Sequence, residues 1–121
     1  MVLVVEDHAD TQHVLVRIVR TLGYDAESVG SAEEALEFFE QRQPTIVLSD
    51  FKLPGMDGLK LFRQIRRHPA WRGIRFIIVS CYGPVEEMCL SAGVDGFVDK
   101  CHLNIETLRD HLEDSAPEGS R

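Results

Sequence analysis

Cysteine is scarce in this chain, and what there is has no pattern. Three cysteines (Cys81, Cys89 and Cys101) make an odd number with no CxxC spacing, which excludes a disulfide framework or a zinc knuckle. Free thiols in a reducing cytoplasm are the expectation. Long hydrophobic runs are also missing: nothing approaches the ~20 residues of a membrane span, and Met1 leads into a strand-like run rather than a signal peptide. Nor is there an excess of positive charge. A net charge of −7 argues against direct nucleic-acid binding and against an anionic membrane. The one local basic segment is Arg63, Arg66, Arg67, Arg72 and Arg75 around Trp71, and it reads as a solvated helix end and loop. The five histidines (His8, His13, His68, His102 and His111) show no ligand spacing and read as surface residues. Internal repeats are absent. With 121 residues, 44% of them hydrophobic, there is material for one core and too little for two domains.

What is present is a strict alternation of short apolar runs and amphipathic stretches. Val2–Val5 precedes a helix reaching Leu22, with Val14, Leu15, Ile18, Val19 and Leu22 inward and Gly23 as its stop. Tyr24–Val29 is a weaker, partly polar strand suited to a sheet edge. Ser31 to Glu34 is a capping box opening a helix with Ala32, Ala35, Leu36 and Phe39 on its inner face. Thr45–Ser49 is apolar enough for a strand buried on both faces. A loop, Phe51–Gly58, leads into a helix using Leu59, Phe62 and Ile65, with Asp57-Gly58 as its turn and cap. Ile74–Val79 is a strand, and Pro84 opens a helix presenting Val85, Met88, Cys89 and Ala92. Gly96–Val98 is a brief strand, and Asn104 caps a last helix with Ile105, Leu108 and Leu112 inward. Such alternation predicts right-handed crossovers and a doubly wound α/β parallel sheet of five strands with five helices. The domain is expected over 1–114, with 115–121 a disordered tail or linker stub.

Each strand end delivers chemistry. Glu6 and Asp7 follow the first strand, Asp50 the third, Ser80 closes the fourth, and Lys100 follows the fifth. In a parallel sheet these ends share one edge, so three carboxylates, a hydroxyl and an ammonium would converge in one crevice. Converging carboxylates repel unless a cation joins them. A hard, oxygen-seeking ion such as Mg²⁺ meets that need, and the hydroxyl and lysine suit a transferred phosphoryl group.

The residues Val4-Val5-Glu6-Asp7, the run from Leu48 to Gly58, Ser80, and Gly96-Phe97-Val98-Asp99-Lys100 together resemble a receiver domain of bacterial two-component response regulators. The likeness covers about residues 2–114. It implies strand order 2-1-3-4-5 and phosphoryl transfer from a sensor histidine kinase or phosphotransfer protein. It makes Asp50 the phosphoacceptor, with Lys100 and Ser80 contacting the phosphoryl oxygens. Asp7 and Asp50 would bind Mg²⁺, with Glu6 acting through water and Lys52 through its backbone carbonyl. Ser80 and Phe97 would be the switch pair, Phe97 rotating inward into space that Ser80 vacates beneath the fourth helix. Output would pass through residues 84–112 to a downstream protein or effector domain, with phosphorylation-linked dimerisation open. The domain would catalyse only its own phosphorylation and dephosphorylation, in the cytoplasm, as a stand-alone protein or a piece of a longer regulator or hybrid kinase.

Several positions depart from that pattern. Cys101 follows Lys100 where the family has a proline joined by a cis bond; a non-proline cis bond costs ~2.5–4 kcal/mol, so Lys100-Cys101 is trans or a strained cis. Cys81 replaces a very small residue beside Ser80, and Lys52 and Tyr82 flank the path of a hydrolytic water. Two other functions fit the residues: a phosphorylation-independent interaction module with the same fold, and a small Mg²⁺-dependent aspartyl-phosphate phosphatase. The second lacks an acid two places after Asp50, where Lys52 stands, to protonate a leaving group.

Overall fold

The computed structural model describes residues 1–113. Five strands, β1 (Val2–Val5), β2 (Ala26–Val29), β3 (Ile46–Asp50), β4 (Arg75–Ser80) and β5 (Gly96–Asp99), alternate with five helices. These are α1 (Ala9–Thr21), α2 (Ala32–Gln41), α3 (Gly58–Arg67), α4 (Glu86–Ala92) and α5 (Ile105–Glu113). All strand pairs are parallel, in the order β2-β1-β3-β4-β5 that the resemblance to receiver domains implies. The sequence of strands reverses direction between β1 and β3, which opens a crevice above their carboxyl ends.

Alternating side chains on the strands feed two apolar layers. Val2, Val4, Leu48, Val79 and Val98 pack with Leu15 and Val19 of α1 and Leu108 and Leu112 of α5. On the other face Leu3, Val5, Val47, Phe76 and Ile78 pack with Phe39 of α2, Phe62 and Ile65 of α3 and Cys89 of α4. Central strands buried on both sides must be apolar throughout, and β1 is fully buried over its whole length.

Local signals act largely as the residues dictate. The Ser31 hydroxyl accepts from the Glu34 amide, while the Glu34 carboxylate reaches one residue past the cap to accept from Gly30 N–H. Asp57 caps α3 by accepting from Lys60 N–H at 2.8 Å, and Asn104 caps α5 through Thr107 N–H. Gly93 ends α4 at φ 107°, a left-handed value that favours glycine. Pro84 sits not in α4 but in a 3-10 turn, Gly83–Val85, that runs into it.

Three expected core residues lie outside. Val14 and Met88 are exposed because each stands one residue, roughly 100° of helix, from the buried Leu15 and Cys89. Ile105, at the first residue of α5, is exposed as well. The expected tail at 115–121 falls outside the described residues. Among the described residues no helix is long and apolar enough to cross a membrane.

Candidate functional site

The strand register brings the acids together. Val5 pairs with Ser49, so Glu6 and Asp50 follow one residue further along neighbouring strands. Asp50 itself is the last residue of β3, opposite Val79, and Ser80 pairs with Asp99 at the ends of β4 and β5. Lys100, the next residue, turns back over the sheet edge. Its Nζ lies 2.9 Å from Asp50 Oδ2 and 2.6 Å from Glu6 Oε1. One ammonium thus bridges two buried carboxylates on different strands.

The turn that aims Lys100 explains how the chain manages without proline. Every peptide bond among the described residues is trans, Lys100-Cys101 included. Residues Lys100–His102 form a 3-10 turn capped by Asp99, whose Oδ1 accepts from Cys101 N–H at 2.9 Å. A proline has no N–H to give. His102 Nδ1 holds the other Asp99 oxygen at 2.9 Å. The hydrogen bond from His102, then that from Cys101 N–H, keeps the Asp99 carboxyl below its ordinary range.

Burial sets the electrostatics of the crevice. Glu6 is completely buried, Asp50 nearly so, and Asp7 stands at the mouth with its side chain 34% exposed. Desolvation is the largest influence on Asp50 and pushes its carboxyl upward; Lys100 opposes it by hydrogen bond and charge, Glu6 adds to it, and the net shift is upward. Burial works to lower Lys100, but its close pairing with Glu6 and with Asp50 outweighs burial and raises the ammonium.

Glu6 Oε1 accepts no aligned hydrogen bond, so its contact with Lys100 is a close ion pair rather than a directed bond. Glu6 Oε2 accepts from His8 N–H at 3.1 Å. Glu6 and Asp7 bring potential ligand atoms within 4.8 Å of one another, with His8 rather than Asp50 as the third member of that group among the described residues; their carboxylate oxygens, with Asp50 bridged to Glu6 through Lys100, suit a hard divalent ion such as Mg²⁺.

Around this centre lies a cleft of about 380 Å³ lined by His8, Asp50, Lys52, Ser80, Cys81, Tyr82 and Lys100. Ser80 is buried, and its Oγ accepts from Tyr82 N–H at 3.0 Å. Lys52 N–H points to Asp50 Oδ1 at a long 3.4 Å. Phe97 does not stand outside awaiting rotation. It is already buried with Val85 and Cys89, because its place on β5 puts it on the α4 face of the sheet. His8 is exposed, as its sequence reading as a surface residue expects, and it also lines the site. Its Nδ1 lies 3.3 Å from Asp7 Oδ1 and 3.4 Å from Glu6 Oε2, and the three residues form one cluster of potential ligand atoms. The available signal was its position directly after the acidic pair, at the mouth of the first turn.

With that geometry, comparison with known proteins is decisive at the level of family. The chain belongs to the response regulator receiver domain family, whose model matches residues 2–113. That family is a signalling domain of two-component systems rather than a conventional enzyme. The chain is 29% identical over 103 residues to the cyclic di-GMP phosphodiesterase response regulator RpfG of Xanthomonas campestris, covering 82% of this chain and 27% of the relative. It is 29% identical over 100 residues to the sensor histidine kinase RcsC of Escherichia coli, covering 83% of this chain and 10% of that protein. The chain therefore spans about a tenth to a quarter of the length of these curated relatives. Among solved structures, the receiver domain of a sensor histidine kinase from Pseudomonas aeruginosa superposes with a TM-score of 0.83 at 28% identity, covering 93% of each chain. That structure carries a magnesium ion coordinated in its active-site cleft.

Proposed function

We propose that this chain accepts a phosphoryl group on Asp50 from the phosphohistidine of a sensor histidine kinase or phosphotransfer protein, with Mg²⁺ as cofactor. The observation that carries the reading is the bridge of Lys100 Nζ between Asp50 and Glu6 at the open edge of the sheet. Likeness to response regulators and to the receiver region of a sensor kinase supports the class of donor.

An Asp50 carboxylate oxygen attacks phosphorus, the bond from phosphorus to the donor imidazole nitrogen breaks, and a mixed anhydride results. Lys100 holds Asp50 in place and then turns its ammonium to a phosphoryl oxygen. Ser80 gives its hydroxyl to another, exchanging the role of acceptor from Tyr82 N–H for that of donor. Asp7 and Asp50, the Lys52 main-chain carbonyl, and Glu6 through water would hold the ion, which neutralises charge on the phosphoryl oxygens. Positioning and electrostatics supply the catalysis.

Ser80 and Phe97 remain the switch pair in this reading, but Phe97 begins inside. Withdrawal of Ser80 toward the phosphoryl group then loosens the β4–α4 loop above a filled pocket. Residues 84–112 change their surface toward a downstream protein, an effector domain or a second copy. Incubation with radiolabelled acetyl phosphate and Mg²⁺ tests the assignment. Hydroxylamine-sensitive label is expected on the wild type and none on Asp50→Asn; label that survives the substitution defeats it.

A further inference from the structure

We propose that Cys81 and Cys101 form a reversible disulfide across the mouth of the crevice, so that a peroxide oxidant blocks phosphoryl acceptance. The blocking half rests on Asp50 being the acceptor; the disulfide itself does not. Both thiols are free and exposed, whereas Cys89 is free and buried. The pairing of Ser80 with Asp99 places Cys81 one residue past the end of β4 and Cys101 two past the end of β5. The two cysteines therefore leave neighbouring parallel strands one position out of register; such strands run roughly 4.8 Å apart, and a disulfide tolerates about 4.4–6.8 Å between Cα atoms. The two thiols stand near enough for Cys81, ahead of burial and nearby charge, to be the leading influence that raises Cys101.

The chemistry balances with hydrogen peroxide as oxidant. The Cys81 thiolate attacks a peroxide oxygen, the O–O bond breaks, and the departing hydroxide takes a proton to become water. The resulting sulfenic acid is attacked by the Cys101 sulfur as its proton leaves; the S–O bond breaks and a second water forms. Two thiols and one peroxide give one disulfide and two waters, and a dithiol reverses the bond by exchange. Cys81 adjoins Ser80 and Cys101 adjoins Lys100, so the link would tie together the two turns that carry the side chains proposed to contact the phosphoryl oxygens, across the mouth of the cleft. Ser80, Cys81 and Lys100 all line the cleft.

The test uses the full chain with Cys89→Ala, leaving two thiols. After hydrogen peroxide, peptide mapping without reductant should show residues 81 and 101 in one cross-linked species, lighter by two hydrogens and released by dithiothreitol. Cys81→Ser and Cys101→Ser should each abolish it. Labelling from acetyl phosphate should slow at least about tenfold on oxidation, as expected when reacting groups are misplaced, and recover with dithiothreitol. In Cys101→Ser, where no link can form, that thiol-reversible slowing should be missing. Higher sulfur oxides or intermolecular dimers without the 81–101 species would overturn the proposal, as would a cross-linked protein labelled at the reduced rate. A reduced wild type that takes no label refutes the phosphoacceptor reading instead, and the peptide map then decides the disulfide alone.

Discussion

At the residue scale the crevice stores a conflict between folding and function. Asp50 is pushed upward chiefly by burial even with Lys100 beside it. A carboxyl raised in the fold binds its proton more tightly folded than unfolded, so stability declines as pH climbs from 3.8 through the raised value, and at neutral pH the ionised group costs the fold. Asp50→Asn removes that cost while leaving Lys100 paired with Glu6. Its Tm in metal-free buffer at neutral pH should exceed that of the wild type, a gain of 1 kcal/mol being worth roughly 4–8 °C, and Mg²⁺ should narrow the gap. A scan showing Asp50→Asn less stable without metal contradicts this account. Lys100→Ala works the other way. It strands two buried carboxylates side by side, and breaking such a pair costs about 3 kcal/mol. Urea titrations should show that loss at neutral pH and a smaller one in mild acid, where a protonated Asp50 no longer repels Glu6.

At the scale of elements, the loop after β3 is held by a close backbone approach. Gly58, the first residue of α3, donates to the Phe51 carbonyl at 2.8 Å. A Cβ built on it would collide with the backbone carbonyl of Asp50 itself. Gly58→Ala should therefore displace the end of β3 and impair the acceptor without touching a charged group. Labelling of Asp50 should fall by at least about tenfold while circular dichroism keeps its helical signal; unchanged labelling would mean that the Asp50 backbone gives way freely. That glycine was legible only as a turn and cap, because a close approach between distant main chains leaves no mark on local sequence. The five parallel strands could be read because alternation of apolar and amphipathic runs is itself the fold rule, whereas their order 2-1-3-4-5 came only from the resemblance to receiver domains. Glu6, Asp7, Asp50, Ser80 and Lys100 stood out because each follows or closes an apolar run. Helix faces were legible to within a residue: Val14 and Met88 are apolar neighbours of buried positions, and a periodicity argument cannot separate them when both are hydrophobic. Equally hidden was the Asp99 cap that aims Lys100, since an Asp before a Lys has no fixed meaning until the turn is seen.

Over the whole molecule, the crevice and the surface of residues 84–112 are joined by β4 and β5, which run side by side through the core. Ser80 and Lys100 occupy one end of that pair, while Phe97 and Val98 are built into its apolar faces. A change at Ser80 must pass through the β4–α4 loop, where Tyr82 is exposed and its N–H holds Ser80 Oγ. Phe97 already fills the space beneath α4, so in the proposed switch the two states would differ less in the aromatic ring than in that loop and in the packing of Val85 and Cys89. Mg²⁺ with beryllofluoride, a mimic of the phosphoryl group, should therefore shift the backbone amide resonances of residues 80–90 strongly. Phe97 ring signals should move little. The same addition to Ser80→Ala should leave the amides of α4 near their starting positions, although the mimic still binds at Asp50. Large movement of the Phe97 ring in the wild type would restore the rotating aromatic as the switch. Equal α4 shifts in Ser80→Ala would assign the coupling to Lys100 and the turn that follows β5, the route that runs through Asp99 and Cys101 rather than through the serine.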